Sequence, residues 1–364
     1  MFENYSSGFS TNSSTTLDKS ANSTDEHCLT ADSTAAIVLK SLAYFVIPMV
    51  SLVGNALIIS AVLKTKQLRK SINYFVFNMA MSDLFTPLTI MPVKIVEIIS
   101  RSGAFMVHSP LMLGNILCKL CYFLRDVSML VFVESLLLIS LDRFTAVVFP
   151  LKAKLISSKM RLICILCTWI IAIAVHAPYF YTFRLFPYGN EYYCKYYWGP
   201  AFDHDETSNR YVTAMFLAII AVPICILIIA YGGIAITLSR GHSRRKEMCV
   251  SARSHGYQTN VQIIVLSVAI VTAFIFCMVP NLVFMFCTIL LWNWEDPPIC
   301  AFKTVIPFVA GFMVHSLSAV NPCICFIFCK NYRRSLKQIL PYRRGSFRMQ
   351  TETTRFRKRT STSV

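Results

Sequence analysis

Two neighbouring pairs of opposite charge interrupt one long apolar stretch of the chain. Asp142 and Arg143 adjoin at its end, and Arg125 and Asp126 adjoin earlier in it, with Glu134 between the pairs. Asp83 stands alone midway along a preceding apolar run. A guanidinium and a carboxylate can hold each other through two parallel hydrogen bonds. A lone carboxylate in an apolar helix needs polar partners or a proton, because leaving it bare costs at least a few kcal/mol. Asn55, Ser318 and Asn321 are the candidate partners for Asp83. Hydrolytic chemistry has no comparable footing, since neither H-E-x-x-H nor G-x-S-x-G occurs.

What these side chains can do depends on the elements that carry them. The chain of 364 residues is 55% hydrophobic and 15% charged, where a soluble domain carries roughly a quarter charged residues. Seven long apolar stretches are legible, 37–63, 72–99, 116–147, 161–181, 211–238, 261–291 and 304–328. Each reaches the ~20 residues that carry a helix across hydrocarbon. Membrane barrels would give short alternating segments instead. The fold class expected is an all-α membrane protein, a seven-transmembrane helix bundle, with a short amphipathic eighth helix at 330–340.

The net charge of +17 could suggest nucleic acid, but its placement speaks for topology. The loop 64–70, KTKQLRK, is purely basic, and the segments around Lys152–Arg161 and Arg240–Arg253 are basic too. From Lys330 onward eleven Lys or Arg face one acid, Glu352. The opposite loops are mixed, with Asp203, Asp205, Glu206, Glu295 and Asp296. Basic loops stay cytoplasmic. The expected protein is multi-pass in the plasma membrane, with its N-terminus extracellular, and no nucleic acid is expected as a partner.

Residues 1–35 read as a disordered extracellular tail rich in Ser and Thr, with N-glycosylation acceptors at Asn4, Asn12 and Asn22. No apolar core of a cleavable signal precedes residue 35. Of the fourteen cysteines, Cys28, Cys118, Cys194 and Cys300 fall on the outer side, and an even number in an oxidising space suggests two bridges. Cys118 and Arg143 are 25 residues apart, about 37 Å of helix, so they mark opposite rims of the membrane. Ionisable groups at the depth of Asp142 and Arg143 face a bundle interior and have a partner; the plainer alternative is an arginine snorkelling at a helix end.

The stretch Asp142-Arg143-Phe144-Thr145-Ala146-Val147-Val148-Phe149-Pro150-Leu151 resembles the D-R-Y-x-A-V-x-x-P-L signature of rhodopsin-like G-protein-coupled receptors, and the chain is most similar to the neuropeptide receptors among them. Asn55 after Gly54, Asn78, Ala80 and Asp83 in the second helix, and Trp169 in the fourth fit the same family. So do Pro223 and Tyr231 in the fifth, Phe274, Cys277 and Pro280 in the sixth, and Asn321-Pro322 in the seventh. The resemblance spans about 36–340, with a seven-helix domain at 36–329. It implies that Asp142 restrains Arg143 at rest, and that Arg143 meets the C-terminal helix of a heterotrimeric G protein when the sixth helix swings out. It implies a Cys118–Cys194 bridge, which leaves Cys28 and Cys300 to pair or to remain free thiols. It also implies no enzyme activity, and an allosteric sodium ion at Asp83, Ser318 and Asn321, the only cofactor expected; a protonated Asp83 among waters is the alternative.

Several positions depart from the family pattern. Phe132 stands where a small hydroxyl residue is common. Met278 replaces a Trp, Cys325 replaces the Tyr that would partner Tyr231, and no acid near Asn260 supplies a second restraint on Arg143. A less tightly locked resting state follows. Pro280 should still kink the sixth helix. Glu134 has no assigned role.

Arg125 lies 18 residues before Arg143, five turns along the same face, and should open into an outer cavity. Amine receptors of the family carry an Asp there, so a monoamine is not expected, and His315 in place of a Schiff-base lysine excludes retinal. Arg125, Asp126, Lys94, Glu97 and His315 form the candidate ligand site. Their mixed charge suits an extracellular peptide, as do Pro92 and Tyr192, Tyr193, Tyr196 and Tyr197 around Cys194; ordinary interfacial aromatics are the alternative for the tyrosines. A small or lipid carboxylate clamped by Arg125 is the second ligand class. Segment 331–340 should lie on anionic membrane lipids, with Cys329 either palmitoylated or a buried thiol. Residues 341–364 form a cytoplasmic tail expected to be disordered and to meet a receptor kinase and arrestin; Thr362-Ser363-Val364 is a weak PDZ-ligand match. A transporter or channel is the competing class, but no repeated halves are seen.

Overall fold

The computed structural model describes residues 32–65, 68, 71–101, 105–107, 111–153, 157–246, 255–295, 297, 300–303 and 305–339. Cys28 and the acceptors Asn4, Asn12 and Asn22 lie outside them, as do residues 340–364.

Seven long helices follow one another, each from an apolar run whose backbone groups must bond within the helix if lipid surrounds it. The first spans Thr34–Lys64 and the third Leu111–Val148. The second is built from Ser71–Ser82, Phe85–Leu88 and Ile90–Ser100, with Asp83 and Leu84 forming the first break. The fourth is Ser158–His176, with a short turn of helix at Tyr179–Thr182. The fifth runs from His204 to Phe216, widens to a π-helix at Leu217–Ala221, and continues as Val222–Lys246. The sixth is His255–Phe286 with a π-helical end at Cys287–Leu291, and the seventh is Val305–Phe328. An eighth, Lys330–Ile339, follows at once.

Six of these are long and apolar enough to cross a membrane by themselves. The exception is the third, which carries Arg125, Asp126, Glu134, Asp142 and Arg143 yet sits at the centre, with 17 of its residues buried. Its charges can be buried because apolar neighbours, the second, fourth, fifth and sixth helices, pack against it. Many apolar side chains on those neighbours point outward, such as Ile229 at 72% exposure, as a lipid-facing surface requires.

Local signals set several helix starts. Ser33, Ser157 and Asp203 each accept a hydrogen bond from the backbone N–H three residues on, at 3.2, 3.2 and 2.8 Å, the pattern of N-caps. Pro48, Pro280 and Pro322 lie inside helices, where each removes one ladder bond.

The Cys194 segment is more regular than a loop. Strands β1 (Met106–Val107), β2 (Phe183–Tyr188) and β3 (Glu191–Tyr196) form an antiparallel sheet in the order β1-β3-β2. The hairpin turns at Gly189-Asn190 between paired Tyr188 and Glu191, with Gly189 at φ +58°.

Three contacts fix the bundle where the family-like positions meet. Asn78 donates to Ser135 Oγ at 2.8 Å and to Thr168 Oγ1 at 3.3 Å, and it accepts from Trp169 Nε1 at 2.8 Å, tying the second, third and fourth helices together. Asn55 Nδ2 donates to the carbonyls of Ser51 at 2.9 Å and Ser318 at 2.8 Å. A Cβ on Gly54 would lie 2.6 Å from Pro322 Cβ, so the absence of a side chain there is what lets the first helix meet the seventh.

Candidate functional site

At the end of the bundle that carries the sheet, Cys118 and Cys194 are bonded, which fastens β3 to the third helix. Phe183 and Tyr196 of that sheet are buried together with Tyr179 and Trp198, and Trp198 Nε1 donates to Tyr196 Oη at 2.6 Å. Burial raises the Tyr196 phenol above its ordinary pKa, against the lowering effect of that hydrogen bond. Tyr196 is therefore part of a packed aromatic floor.

Below this cap opens a cavity of about 1010 Å³ of empty space, its mouth included. Arg125, Asp126, His176, Tyr179, Asn281 and His315 supply polar groups to its wall; Met129, Met215, Ile219, Phe284 and Val314 supply apolar ones. Ile219 and Ile220 reach it from the π-helical turn of the fifth helix. The third, fourth, fifth, sixth and seventh helices all contribute. A concave, mostly apolar chamber with a few convergent polar groups is the general form of a ligand site.

The five expected ligand residues divide. Arg125, Asp126 and His315 line the cavity; Lys94 and Glu97 are not among its lining residues. Those two form an i,i+3 ion pair at 2.7 Å, and Tyr122 donates to Glu97 at 3.3 Å. The arginine is also not an open clamp. Its Nε and Nη2 donate to the two carboxylate oxygens of Asp126, each at 2.9 Å, and Tyr179 Oη adds a third bond to Asp126 at 2.6 Å. His315 Nδ1 lies 3.3 Å from Tyr44 Oη. Tyr179, His176 and Asn281 were not singled out from the sequence; Tyr179 follows Pro178 at the end of an apolar run, where an aromatic residue looks like an ordinary interfacial one.

The cavity reaches down to Asp83 and Ser318. Asp83 accepts from Asn321 Nδ2 at 2.9 Å. The other two expected partners are turned elsewhere: Asn55 bonds to backbone carbonyls, and Ser318 Oγ donates to the carbonyl of His315 at 3.0 Å. For a sodium ion, Asp83 and Ser318 offer oxygens facing the same space, and the buried Asn321 Oδ1 has no hydrogen-bond partner. The Phe132 ring packs against Phe274 at 5.8 Å between centroids and takes one wall of that space. The residues fit an ion poorly on that side and well on the other.

At the opposite end of the third helix, Asp142 and Arg143 form an ion pair, both nearly buried. Asp142 Oδ1 also accepts from Arg161 Nη2 on the fourth helix at 3.2 Å. In the sequence Arg161 reads as a basic loop residue and as the first residue of an apolar run. Tyr231, deprived of a tyrosine partner by Cys325, instead accepts from Ser140 Oγ at 3.3 Å. Phe144 packs so closely on the fifth helix that a Cβ on Gly233 would lie 2.7 Å from its ring.

The eighth helix is held by Tyr332 Oη donating to Asn73 at 3.2 Å and Ser335 Oγ donating to Thr65 Oγ1 at 2.7 Å. Burial raises the Tyr332 phenol well above its ordinary pKa. Lys330, Arg334 and Lys337 remain on its exposed face. The Cys329 thiol is half-buried and unbonded.

Comparison with known proteins agrees with this geometry. The family model described as 7 transmembrane receptor (rhodopsin family) matches residues 54–325. Neuropeptide FF receptor 2 of Rattus norvegicus is 24% identical over 82% of this chain and 72% of its own length. Neuropeptide Y receptor type 1 of Xenopus laevis is 26% identical over 83% of this chain and 80% of its own. Cholecystokinin receptor type A of Oryctolagus cuniculus is 27% identical over 56% and 46%. The chain belongs to the rhodopsin family of seven-transmembrane receptors, multi-pass membrane proteins that are not enzymes.

Proposed function

We propose that the protein is a plasma-membrane receptor, N-terminus outside, that binds an extracellular neuropeptide in the cavity under the β-sheet and activates a heterotrimeric G protein at the Arg143 end. The observation that carries this is the layout of the third helix. One continuous helix bears the cavity-lining Arg125–Asp126 pair near the disulfide and the Asp142–Arg143 pair near its other end. The peptide-receptor names of the relatives support the ligand class.

The mechanism follows from the contacts. A ligand seated against Asn281 and Phe284 of the sixth helix and against Gly311 and His315 of the seventh pushes on the two helices that contain Pro280 and Pro322. Prolines lower the cost of bending there. Movement of the sixth helix away from Tyr231 and Arg143 would let the guanidinium leave Asp142 for the G protein. If a sodium ion binds, Asp83, Ser318 and Asn321 would hold it, and it would supply a counter-charge to Asp83. The tail from residue 341 would serve a receptor kinase and arrestin, and the eighth helix would rest on anionic lipids.

A carboxylate ligand is the second class, and Arg125's bond to Asp126 weighs against it, because such a ligand must displace an existing carboxylate. A peptide library applied to cells expressing the receptor, read by calcium and cyclic-nucleotide reporters, tests the proposal. At least one peptide should raise signalling in a manner lost in Arg143→Ala; ion flux independent of any G protein would overturn it.

A further inference from the structure

We propose that Arg161 is a positioning residue for activation: it keeps the Asp142 carboxylate paired while Arg143 leaves for the G protein. This rests on the receptor function proposed above.

The geometry divides one carboxylate between two guanidiniums. Oδ2 accepts from Arg143 Nη2 and Oδ1 accepts from Arg161 Nη2 at 3.2 Å. Asp142, Arg143 and Arg161 side chains are 7%, 12% and 11% exposed. A carboxylate that buried, held by a single arginine, would be left bare by the departure of that arginine, and a bare buried charge is strongly unfavourable. With Arg161 in place it is not left bare. Arg161 also weakens the hold at rest, because it occupies one oxygen that Arg143 could otherwise share in a two-bond fork.

Arg161 stays put because of where it is anchored. It lies in the first turn of the fourth helix, whose start is capped by Ser157, its own N–H bonding to the Ser157 carbonyl at 3.3 Å. The fourth helix is tied to the third by the Asn78, Ser135, Thr168 and Trp169 cluster, with no part in it for the sixth helix. The buried Nε of Arg143 has no hydrogen-bond partner, so the mobile arginine retains an unused donor for a new acceptor.

The test is a binding titration of full-length receptor in nanodiscs, without ligand, against a panel of purified nucleotide-free heterotrimeric G proteins. Arg161→Gln should weaken binding about tenfold, or about 1.4 kcal/mol, and Arg161→Lys should restore most of it. In an Asp142→Asn background, which has no charge to keep paired, Arg161→Gln should change nothing. Unchanged or tighter binding by Arg161→Gln would overturn the proposal, tighter binding making Arg161 a lock. Equal weakening in both backgrounds would also overturn it, since that is the signature of a merely structural residue. Wild-type receptor that binds no heterotrimer would remove the receptor function itself, and this proposal with it.

Discussion

The third helix carries two Arg–Asp neighbours built from the same parts and bonded in different ways. Near the disulfide, both oxygens of Asp126 are taken by one guanidinium, with Tyr179 as a neutral third donor. Near the other end, Asp142 is split between arginines from two helices. The first arrangement is a closed fork that shapes a wall. The second has a replaceable partner, so one cation can leave while the carboxylate remains compensated. How the carboxylate is shared thus distinguishes the two pairs, and identical residue types do not reveal it.

The comparison can be broken by truncating each arginine. Arg125→Ala removes both guanidinium bonds from the half-buried Asp126 carboxylate and should cost roughly 3–5 kcal/mol. Replacing both members, Arg125→Met with Asp126→Leu, should recover most of that loss, because an apolar pair of similar volume needs no desolvation. Arg143→Ala should cost less, about 1.5–3 kcal/mol for one hydrogen bond to a charged group, because Arg161 still pairs Asp142. Thermal unfolding of the purified receptors measures all three. Equal losses for Arg125→Ala and Arg143→Ala would mean that Arg161 shields nothing. The activity readout should run the other way, with Arg143→Ala silencing G-protein coupling that Arg125→Ala leaves responsive at raised ligand concentration.

How far the two ends were legible beforehand differs for a physical reason. Helices come from continuous apolar runs, a signal spread over twenty or more residues, so all seven were found. Asp142 and Arg143 adjoin in sequence and were found as well. Arg161 is 19 residues from Asp142 and meets it only because two helices pack, which no local pattern encodes. The same holds for Tyr179 on Asp126. Lys94 and Glu97 were assigned to the cavity although their i,i+3 spacing already favours a pair on one helix face. The β2–β3 hairpin did leave a trace, since a Gly-Asn step between aromatic-rich runs is a two-residue turn signal. The tyrosines beside it read equally well as ligand contacts or interfacial aromatics, which masks the strand pattern.

A smaller effect tests how tightly the scaffold beneath both pairs is set. Gly54→Ala would place a methyl 2.6 Å from Pro322 Cβ and 2.7 Å from Pro322 Cγ, against a ring that cannot rotate away. Overpacking of this kind costs typically about 1–3 kcal/mol. Because Pro322 adjoins Asn321, the partner of Asp83, basal G-protein binding should shift along with the melting temperature. A stability loss with unchanged basal binding would separate the Asp83 cluster from the switch.

The smallest expected effect concerns Glu134, which sits between the two pairs and shares neither solution. It lies mid-helix and half-buried, and its Oε2 has no hydrogen-bond partner. Unlike Asp126 and Asp142, it has no arginine beside it in sequence to bond that buried oxygen. An ionisable side chain inside a bundle without a partner is costly whatever its protonation state, because a buried polar atom that makes no hydrogen bond forfeits those it made to water. Glu134→Leu removes that cost and adds apolar surface where neighbouring side chains are apolar. It should therefore raise stability by about 1 kcal/mol, read as a higher melting temperature in the same detergent, with G-protein binding unchanged. Glu134→Gln should gain little, because it keeps an uncompensated polar end. A drop in stability for both variants would mean that Glu134 is a working member of the charge series along the third helix rather than its one unpaired survivor.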